Sequence, residues 1–172
     1  MNDTFLPGKG FDTYEEQDRV LMGLSGSVRS GVAVRILQQQ GFAVAAAVVR
    51  LADTPEEHAA AEAAKALAKK LDVECLALNA EALAGQDAEA ARFAALLTAA
   101  DKLGIQYVAS GHYARMETDA QGVSHLFPPE SGAPDESDRL AALSPEVLAR
   151  LILPLGDFAP EDVAEMAKDF EL

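Results

Sequence analysis

The chain has 172 residues, 49% of them hydrophobic and 24% charged, which is enough apolar material for the core of one ordinary domain and excludes disorder of the whole chain. Its 14 Lys and Arg against 28 Asp and Glu give a net charge of −14. Because nucleic-acid binding draws much of its affinity from cations that neutralise phosphates, this charge argues against a nucleic-acid-binding role for the isolated chain.

The single cysteine and the distribution of apolar residues narrow the possibilities further. Cys75 has no second cysteine to pair with, which excludes an internal disulfide, a CxxC redox pair and an all-cysteine metal site. No run of about 18 apolar residues exists, and the N-terminus lacks the basic and apolar parts of a secretory signal. We therefore expect a cytoplasmic protein without a membrane span.

Acidic residues are concentrated in the last quarter of the chain, where residues 129–172 contain 11 acids and 3 bases. This segment is predicted to be a solvated acidic surface; the alternative is a docking face for a basic protein partner. A narrow alanine-rich helix face and the apolar C-terminal helices fit burial within the monomer and a homodimer surface equally well.

The first part of the chain predicts a tail followed by a strand, a turn and a helix. Residues 1–19 are acidic with few apolar positions and are predicted to be an N-terminal tail or a short capping helix, so that the domain spans residues 20–172. Residues 20–24 form a short apolar run that is typical of a buried parallel strand and stops at a glycine–serine turn. Val28, Val32, Ile36 and Leu37 then follow at helical spacing before Gly41, which predicts a helix over residues 28–40.

The middle of the chain continues this alternation. Residues 43–49 predict a second strand that is covered on both faces. Thr54 and Pro55 predict a helix that runs to about Leu71, with a hydroxyl N-cap, proline at the first helical position and Glu57 placed for a capping box. The apolar stripe of this helix is narrow and is predicted to pack close to the sheet; it comprises Ala59, Ala60, Ala63, Ala64, Leu67 and Leu71.

Two more strands and a helix complete the predicted sheet. Residues 74–78 predict a third strand, residues 87–103 a helix that ends at Gly104, and residues 106–110 a fourth strand. Strands that alternate with helices imply right-handed crossovers onto one parallel sheet. The predicted fold class is therefore α/β, with three α/β/α layers.

The C-terminal part is predicted to be a loop followed by two helices. Residues 117–139 show no periodicity and contain several glycines and prolines, which predicts a long loop. The helices are expected to begin at Ser144 and Pro160. Their predicted apolar faces are Leu148, Leu151 and Ile152 in the first and Val163, Met166, Ala167 and Phe170 in the second.

The turn at residues 24–30 is the strongest candidate for a ligand site. It joins the first strand to the first helix at the carboxyl edge of the sheet, where open α/β folds bind ligands. Backbone N–H groups and the helix dipole favour an anion there, and Ser25, Ser27 and Ser30 offer hydroxyl donors. The turn therefore predicts phosphate binding; the alternative is a turn without a ligand.

Three segments resemble the tRNA-specific 2-thiouridylase family of PP-loop ATP pyrophosphatases. The resemblance covers about residues 20–172, which is nearly the whole chain. They are VLMGLSGSVRS at residues 20–30, which resembles the SGGxDS signature, LGIQYVASGHYAR at residues 103–115, and LPLGD at residues 153–157. The resemblance implies an adenine nucleotide alpha hydrolase-like (HUP) fold that binds ATP or AMP. The nucleotide-binding residues it implies are Gly23, Leu24, Ser25, Gly26, Ser27, Val28, Arg29, Ser30, Val49, Gly111 and His112.

The signature departs from the family at the position that helps to hold Mg²⁺. Arg29 stands where the family has an acidic residue, and Ser27 stands at the second glycine. A guanidinium cannot ligate Mg²⁺ but can bind a phosphate directly, so the substitution argues against a metal-assisted reaction. The alternative is that Arg29 is a surface arginine without a ligand.

A second departure concerns the sulfur chemistry of the family. The resemblance places Asp87 at the position of the family's nucleophilic cysteine, Ala88 at its asparagine and Arg92 at its lysine. A carboxylate cannot carry a persulfide, and Asp87 is predicted to be a helix N-cap instead. Cys75 is predicted to be a small buried hydrophobic residue of the third strand and no replacement. We therefore predict no catalytic residue.

The family's chain continues beyond the PLGD segment, and the resemblance implies that a second cysteine comes from that continuation. The family's DQSYFL segment, associated with tRNA contact, corresponds to DESDRL at residues 135–140, where no aromatic ring remains for base stacking. Binding of tRNA by the isolated chain is therefore not expected.

The three histidines are expected to differ in role. His112 is predicted to face the phosphate turn and contact a nucleotide, or else to close its loop through a backbone hydrogen bond, and Gly111 is expected to be needed for close approach of a ligand or for an unusual φ. His58 and His125 have no partner at metal-ligand spacing and are predicted to be solvated.

We therefore predict a nucleotide-binding module of this family that acts without sulfurtransferase activity. Two alternatives remain open at this point: a subunit of an active tRNA 2-thiouridylase that a partner completes, and a structural interaction protein with an empty site.

Overall fold

The computed structural model describes residues 18–129 and 132–172. The predicted N-terminal tail falls almost entirely outside the described residues. The strands are β1 Arg19–Gly23, β2 Ala43–Arg50, β3 Cys75–Asn79, β4 Tyr107–Ala109, β5 Arg115–Thr118, β6 Ser124–Phe127 and β7 Leu151–Ile152. The α-helices are α1 Val28–Gln39, α2 Pro55–Leu71, α3 Ala88–Leu103, α4 Pro145–Arg150 and α5 Pro160–Asp169.

The main sheet has five parallel strands in the order β3-β2-β1-β4-β7. Helices α1, α2 and α5 pack together on one face, and α3 and α4 pack on the other. This arrangement is the predicted three-layer α/β/α fold. Strand order reverses beside β1, so the carboxyl ends of β1, β2 and β4 frame the crevice in which such sheets bind ligands.

The core consists of two apolar clusters, one on each face of the sheet. Alternation along the central strand divides them: Val20 and Met22 point to the face covered by α1 and α2, and Leu21 points to the face covered by α3. All three side chains are fully buried. Strands buried on both faces need continuous apolar sequence, which is why the run at residues 20–24 was readable as a strand.

The predicted helix caps are confirmed, with one exception. Asp87 accepts a hydrogen bond from Ala90 N at 3.0 Å at the start of α3, and Ser144 accepts one from Val147 N at 3.3 Å at the start of α4. Thr54 accepts one from Glu57 N at 3.2 Å at the start of α2. The Glu57 carboxylate does not close a capping box; its Oε1 accepts from Leu51 N at 2.7 Å, so it faces the carboxyl edge of the sheet.

The predicted long loop at residues 117–139 is wrong in its first half. β5 and β6 form an antiparallel hairpin in which Met116 pairs with Leu126. The turn between them is closed by Asp119, whose side chain accepts from Gln121 N and Val123 N, and by Gly122 at φ 82°. Only one side of so short a hairpin packs on the core, which left too little periodicity to recognise.

The predicted apolar face of α4 is also wrong, because α4 ends at Arg150. Leu151 and Ile152 instead pair with Val108 and Ala109 as strand β7 at the edge of the sheet. Pro154 disfavours helical geometry in the residue before it, which limits the helix. The face predicted for α5 is confirmed, since Val163 and Ala167 are buried and Met166 and Phe170 pack against them.

The buried faces of α1 and α2 differ from the apolar stripes that were predicted for these helices. Val28 is 46% exposed at the start of α1, whereas Val32, Ile36 and Leu37 are buried as expected. In α2 the buried face consists of Ala61, Ala64, Leu67, Ala68 and Leu71, so Ala59, Ala60 and Ala63 point away from the sheet. In the described part of the chain, no helix is both long and apolar enough to cross a bilayer.

Candidate nucleotide-binding site

A pocket of about 310 Å³ opens at the carboxyl edge of the sheet, beside β1, β2 and β4. Its walls are the turn after β1, the end of β2, the first turns of α2 and α3, and the loop after β4. The lining residues include Gly23, Leu24, Ser25, Gly26, Ser27, Arg29, Ser30, Val49, Glu57, Glu89, Arg92, Phe93, Ser110, Gly111, His112 and Arg139. The structure therefore brings all but one of the predicted nucleotide-binding residues to one cavity, the exception being the exposed Val28.

The turn after β1 presents the start of α1 to this pocket. Ser27 is the N-cap, and its Oγ accepts from Ser30 N at 3.3 Å. Val28 and Arg29 occupy the first two helical positions, whose N–H groups have no acceptor within the helix. These amides are available to an anion, and the helix dipole adds to the attraction.

The three serines of the turn are bonded to one another. Ser25 Oγ lies 2.8 Å from Ser27 Oγ, and the Ser30 hydroxyl lies 2.9 Å from Ser25 O and 2.8 Å from Ser27 O. Ser30 is buried, whereas Ser25 and Ser27 are exposed. We therefore expect Ser25 and Ser27 to be the hydroxyls that can turn to a ligand, while Ser30 holds the turn together.

Gly26 brings the turn against α2. A Cβ built on Gly26 would lie 2.5 Å from the Cβ of Ala63, which is closer than real Cβ atoms approach. Ala63, one of the alanines of α2 that point away from the sheet, thus borders the turn, and Ala60 lines the pocket.

Replacing Gly26 with alanine is expected to lower the free energy of unfolding by about 1–2 kcal/mol, the cost of overpacking a close contact. The double variant Gly26→Ala with Ala63→Gly removes the colliding methyl and should recover most of that loss apart from the helix cost of glycine, about 1 kcal/mol. Urea unfolding of both variants measures the difference. Equal stability of Gly26→Ala and the wild type would contradict the assigned contact.

The Arg29 side chain is bound by the carboxylate of Glu136, which is not among the residues predicted for the site. Both terminal nitrogens of Arg29 donate to Glu136 Oε2 at 3.3 Å, and the guanidinium carbon lies 4.6 Å from the centre of the Tyr113 ring. The Arg29 side chain is 34% exposed and that of Glu136 only 9%. Arg29 is therefore neither a free surface arginine nor a free phosphate ligand, because it already has an anionic partner at the pocket wall.

Glu136 links three parts of the site. Its Oε1 accepts from Tyr113 N at 2.8 Å, and its Oε2 lies 3.6 Å from a guanidinium nitrogen of Arg139. Glu136 belongs to the DESDRL segment, whose acidity looked like solvated surface. No local pattern marks a residue whose partners lie 23 and 107 positions away along the chain.

His112 is held at both ring nitrogens by side chains of the pocket. Nδ1 lies 2.7 Å from Ser110 Oγ, and Nε2 lies 2.9 Å from Glu89 Oε2. Its side chain is 14% exposed. These side-chain bonds replace the backbone bond that was the alternative for His112, and Glu89 and Ser110 join the site as residues not predicted from sequence.

Glu89 and Glu57 are both neighbours of Arg92. The guanidinium of Arg92 lies 3.8 Å from each of the two carboxylates. The hydrogen bond with His112, followed by the nearby charges of Arg92 and Arg139, outweighs burial and lowers the pKa of Glu89. Glu89 is therefore ionised at neutral pH, and both carboxylates lie beside the Arg92 guanidinium.

The lowered pKa of Glu89 predicts a pH dependence of stability. A carboxyl group whose pKa is lowered by folding stabilises the protein above its usual pKa of 4.5, and that contribution is lost as the pH falls through the lower folded value. The wild type is expected to exceed Glu89→Gln by about 1 kcal/mol at pH 7, and the difference should shrink as the pH falls from the usual value through the lower folded value. Urea unfolding across pH 3 to 7 measures this, with Glu165→Gln on the exposed face of α5 as control; a difference that does not decrease as the pH falls would contradict it.

Gly111 does not need an unusual φ. Its φ lies outside the left-handed region, and a Cβ there would meet Ser30 Cα at 3.5 Å, which is ordinary contact. The expectation of an unusual φ is therefore wrong. The close distance shows instead that the loop after β4 lies directly against the first turn of α1.

The other histidines are exposed, as predicted, but each has a carboxylate partner. His58 Nε2 lies 2.5 Å from Asp53, and His125 Nε2 lies 2.8 Å from Asp119. Within residues 18–129 and 132–172, no three His, Cys, Asp or Glu side chains come together in a group that fits a metal ion.

At the position where the resemblance implies a Mg²⁺ ligand, the structure has a cation. Arg29 stands there, and the nearby carboxylates of Glu57 and Glu89 each use one oxygen in a bond to Leu51 N or His112. The second oxygen of each carboxylate lies 3.8 Å from the Arg92 guanidinium, which competes with a divalent cation for it.

The residue types needed for sulfur transfer are not brought to the pocket. Asp87 is exposed and caps α3. Cys75 is only partly buried in the edge strand β3, outside the lining of this pocket, and burial raises the pKa of its thiol. A raised pKa reduces the thiolate form, which is the reactive one.

Comparison with known proteins agrees with this fold. Residues 87–172, half of the chain, match the sequence profile of the tRNA methyl transferase HUP domain family. The chain belongs to this family. The HUP domain is the fold predicted from the three motifs, and the matched half contains the LGIQYVASGHYAR and LPLGD segments.

Relatives of this HUP domain include the tRNA-specific 2-thiouridylases MnmA of Yersinia pestis and Yersinia pseudotuberculosis. Each is 32% identical to it over 184 residues, which cover 91% of the chain and 49% of the relative. The chain therefore spans about half the length of these curated relatives. The resemblance to the 2-thiouridylases is confirmed by this similarity.

Solved structures show the same fold. The U34-tRNA thiolase NcsA of Methanococcus maripaludis superimposes with a TM-score of 0.61 at 16% identity, over 90% of this chain and 57% of that one. A predicted subunit of tRNA methyltransferase from Methanocaldococcus jannaschii superimposes with a TM-score of 0.53 at 16% identity, over 88% and 76%. At this identity the likeness concerns the fold alone.

Proposed function

We propose that this HUP domain binds an adenine nucleotide, ATP or AMP, in the pocket at the carboxyl edge of the sheet. The observation that carries the proposal is the convergence of the α1 N-terminus, the end of β2 and the loop after β4 on one cavity of about 310 Å³. Pockets for small ligands begin at about 300 Å³ and combine apolar walls with a few polar groups. Phe93 and Leu96 supply apolar wall, and the turn supplies donors.

The phosphates are proposed to bind the amide of Arg29 and the hydroxyls of Ser25 and Ser27. Arg29, Arg92 and Arg139 line the same pocket and take the place of a divalent cation as counter-charges. Each of these arginines has a carboxylate within 4 Å, so a phosphate has to share them with Glu57, Glu89 or Glu136. We therefore expect moderate affinity that does not depend on Mg²⁺.

The domain is proposed to act as a binding or regulatory module in tRNA modification, without sulfurtransferase activity of its own. Two residues support this proposal. Asp87 has no sulfur and caps α3, and the thiol of Cys75 lies outside the pocket lining. The second candidate is a subunit of a 2-thiouridylase completed by a partner chain. It is favoured by the similarity to the MnmA relatives, which are 32% identical to the chain over 184 residues.

Calorimetric titration with ATP and AMP, with and without Mg²⁺, tests the proposal. Binding that is equal with and without the metal is the expected result. No heat of binding at millimolar nucleotide would contradict nucleotide binding and leave an interaction protein with an empty site. Thiolation of tRNA that requires a second chain would establish the subunit alternative.

Removing the Arg29 guanidinium is expected to weaken nucleotide binding by about 1.5–3 kcal/mol, the range of a hydrogen bond to a charged group. The matched control is Arg35→Ala in the same helix, whose guanidinium donates to Gln38 and to Leu71 O on the other side of α1. Calorimetry of both variants measures the affinities. Equal dissociation constants for Arg29→Ala and Arg35→Ala would remove Arg29 from the site.

A further inference from the structure

Ser110, His112 and Glu89 form a hydrogen-bonded chain inside the pocket. Ser110 Oγ lies 2.7 Å from His112 Nδ1, and His112 Nε2 lies 2.9 Å from Glu89 Oε2. An ionised carboxylate only accepts hydrogen bonds, so His112 Nε2 is protonated and donates the hydrogen bond to Glu89. In the neutral ring Nδ1 is then an acceptor, and the Ser110 hydroxyl is the donor.

With this assignment Ser110 corresponds to a nucleophile, His112 to a base and Glu89 to the carboxylate that orients the base. Such triads are recognised by geometry and roles and not by position in the sequence. In the common arrangement the serine contacts Nε2; here it contacts Nδ1, which performs the same proton transfer with the ring turned round. The ring of His112 is further placed by Phe93, whose centroid lies 6.3 Å from it.

Ser110 lies at the edge of the sheet where the phosphates are proposed to bind. It follows the carboxyl end of β4 and lines the pocket together with the turn after β1. A Cβ on the neighbouring Gly111 would lie 3.5 Å from Ser30 Cα, so the serine loop touches the first turn of α1. Ser110 and Arg29 of the first turn of α1 therefore line one cavity, together with Arg92 and Arg139.

We propose that Ser110 attacks the α-phosphorus of bound ATP and becomes adenylylated. The inference rests on the proposed nucleotide binding. The Ser110 O–H bond breaks and its proton passes to His112 Nδ1, while the bond from Ser110 Oγ to the α-phosphorus forms. The bond from that phosphorus to the oxygen bridging to the β-phosphorus breaks, and pyrophosphate leaves without any change of oxidation state.

Glu89 is a positioning residue in this step. It holds the ring so that Nδ1 faces Ser110, and it stabilises the imidazolium that forms when the proton arrives. The hydrogen bond with His112 and the Arg92 guanidinium 3.8 Å away together lower the pKa of this carboxyl group. His112 is the catalytic base because it receives the proton of the reacting hydroxyl.

The test is to incubate the full chain with ATP labelled at the α-phosphate, denature it and locate the label by peptide mass spectrometry. The wild type is expected to retain an adenylyl group on Ser110, and Ser110→Ala is expected to retain none. The control Ser124→Ala changes a hydroxyl of the hairpin outside the pocket lining and should label like the wild type. Label retained by Ser110→Ala would overturn the proposal. Labelling of the wild type by ATP that carries its label at the γ-phosphate would overturn it as well.

Two further variants separate the roles. His112→Asn is expected to slow adduct formation about 100-fold or more, the usual contribution of a general base. Glu89→Gln is expected to slow it about tenfold at saturating ATP. Glu89→Asp keeps the carboxylate and is expected to recover part of the rate, which loss of local structure would not produce. Equal rates in the wild type and His112→Asn would contradict the assigned base.

A measurement without nucleotide completes the test. A fluorophosphonate carries an electrophilic phosphorus with fluoride as its leaving group, so the wild type should be modified at Ser110 and Ser110→Ala should not. Calorimetry with ATP is run on the same preparations. Nucleotide that binds to the wild type without any adduct would overturn this inference alone, whereas absence of binding would overturn the proposed function first.

Discussion

Replacing Glu136 with alanine is expected to lower the free energy of unfolding by about 3 kcal/mol, near the lower end of the range for breaking a buried ion pair. The variant removes the acceptor of Tyr113 N and the partner of Arg29 together. The backbone amide of buried Tyr113 is then left without its acceptor, and the half-buried guanidinium loses its counter-charge. Urea unfolding at neutral pH measures the loss.

Glu136→Gln is the matched control for this prediction. The amide oxygen of glutamine still accepts from Tyr113 N, so only the charge is removed. We expect a loss of about half that of Glu136→Ala, because a neutral acceptor retains the hydrogen bond. Wild-type stability in Glu136→Ala would mean that Glu136 does not hold the loop and the start of α1 together.

Replacing Gly156 with alanine is the second change with a large expected effect, a loss of about 3 kcal/mol. A Cβ on Gly156 would collide with the carbonyl oxygen of Ala114 and would lie 2.9 Å from Arg115 Cγ. The first of these neighbours is backbone at the start of the hairpin, which cannot move aside as a flexible side chain does. Gly156 belongs to the LPLGD segment, so this contact gives that motif a structural role.

Gly111→Ala is the control for that collision, since the added Cβ would meet its neighbours at no less than 3.5 Å. It is expected to change the free energy of unfolding by less than about 0.5 kcal/mol, as for substitutions without a clash or lost contact. Thermal and urea unfolding of both variants measure the contrast. A similar loss in both variants would mean that the segment tolerates no side chain for a reason other than this contact.

The fold was predictable because its signals are local. A strand buried on both faces needs continuous apolar residues, and each long helix carries its own cap, as Thr54 and Asp87 do. Alternation of such elements permits few arrangements other than a parallel sheet with right-handed crossovers. The strand β7 was not predicted because it has two residues and is defined by its pairing with distant β4. The hairpin of β5 and β6 was not predicted because its strands are too short to show a periodic run.

The candidate site was predictable only in part. The turn after β1 and His112 stand in motifs, so their meeting at one sheet edge followed from the order of the strands. Glu89 lies outside the quoted segments, and Ser110 and Glu136 lie within them but had no predicted role in the site. Glu136 reaches Arg29 from 107 residues away, and Glu89 reaches His112 across 23 residues.

The amino-acid sequence by itself determined the family, the α/β architecture and the location of the phosphate turn, because spacing, capping and motif residues act over a few neighbouring positions. Only the tertiary structure decided which charges meet in the pocket. It paired Arg29 with Glu136 and aligned Ser110, His112 and Glu89, since such contacts depend on distances between chain segments that local patterns do not encode. The chemistry available to the pocket therefore follows from how the loops after β4 and β6 fold back onto the start of α1.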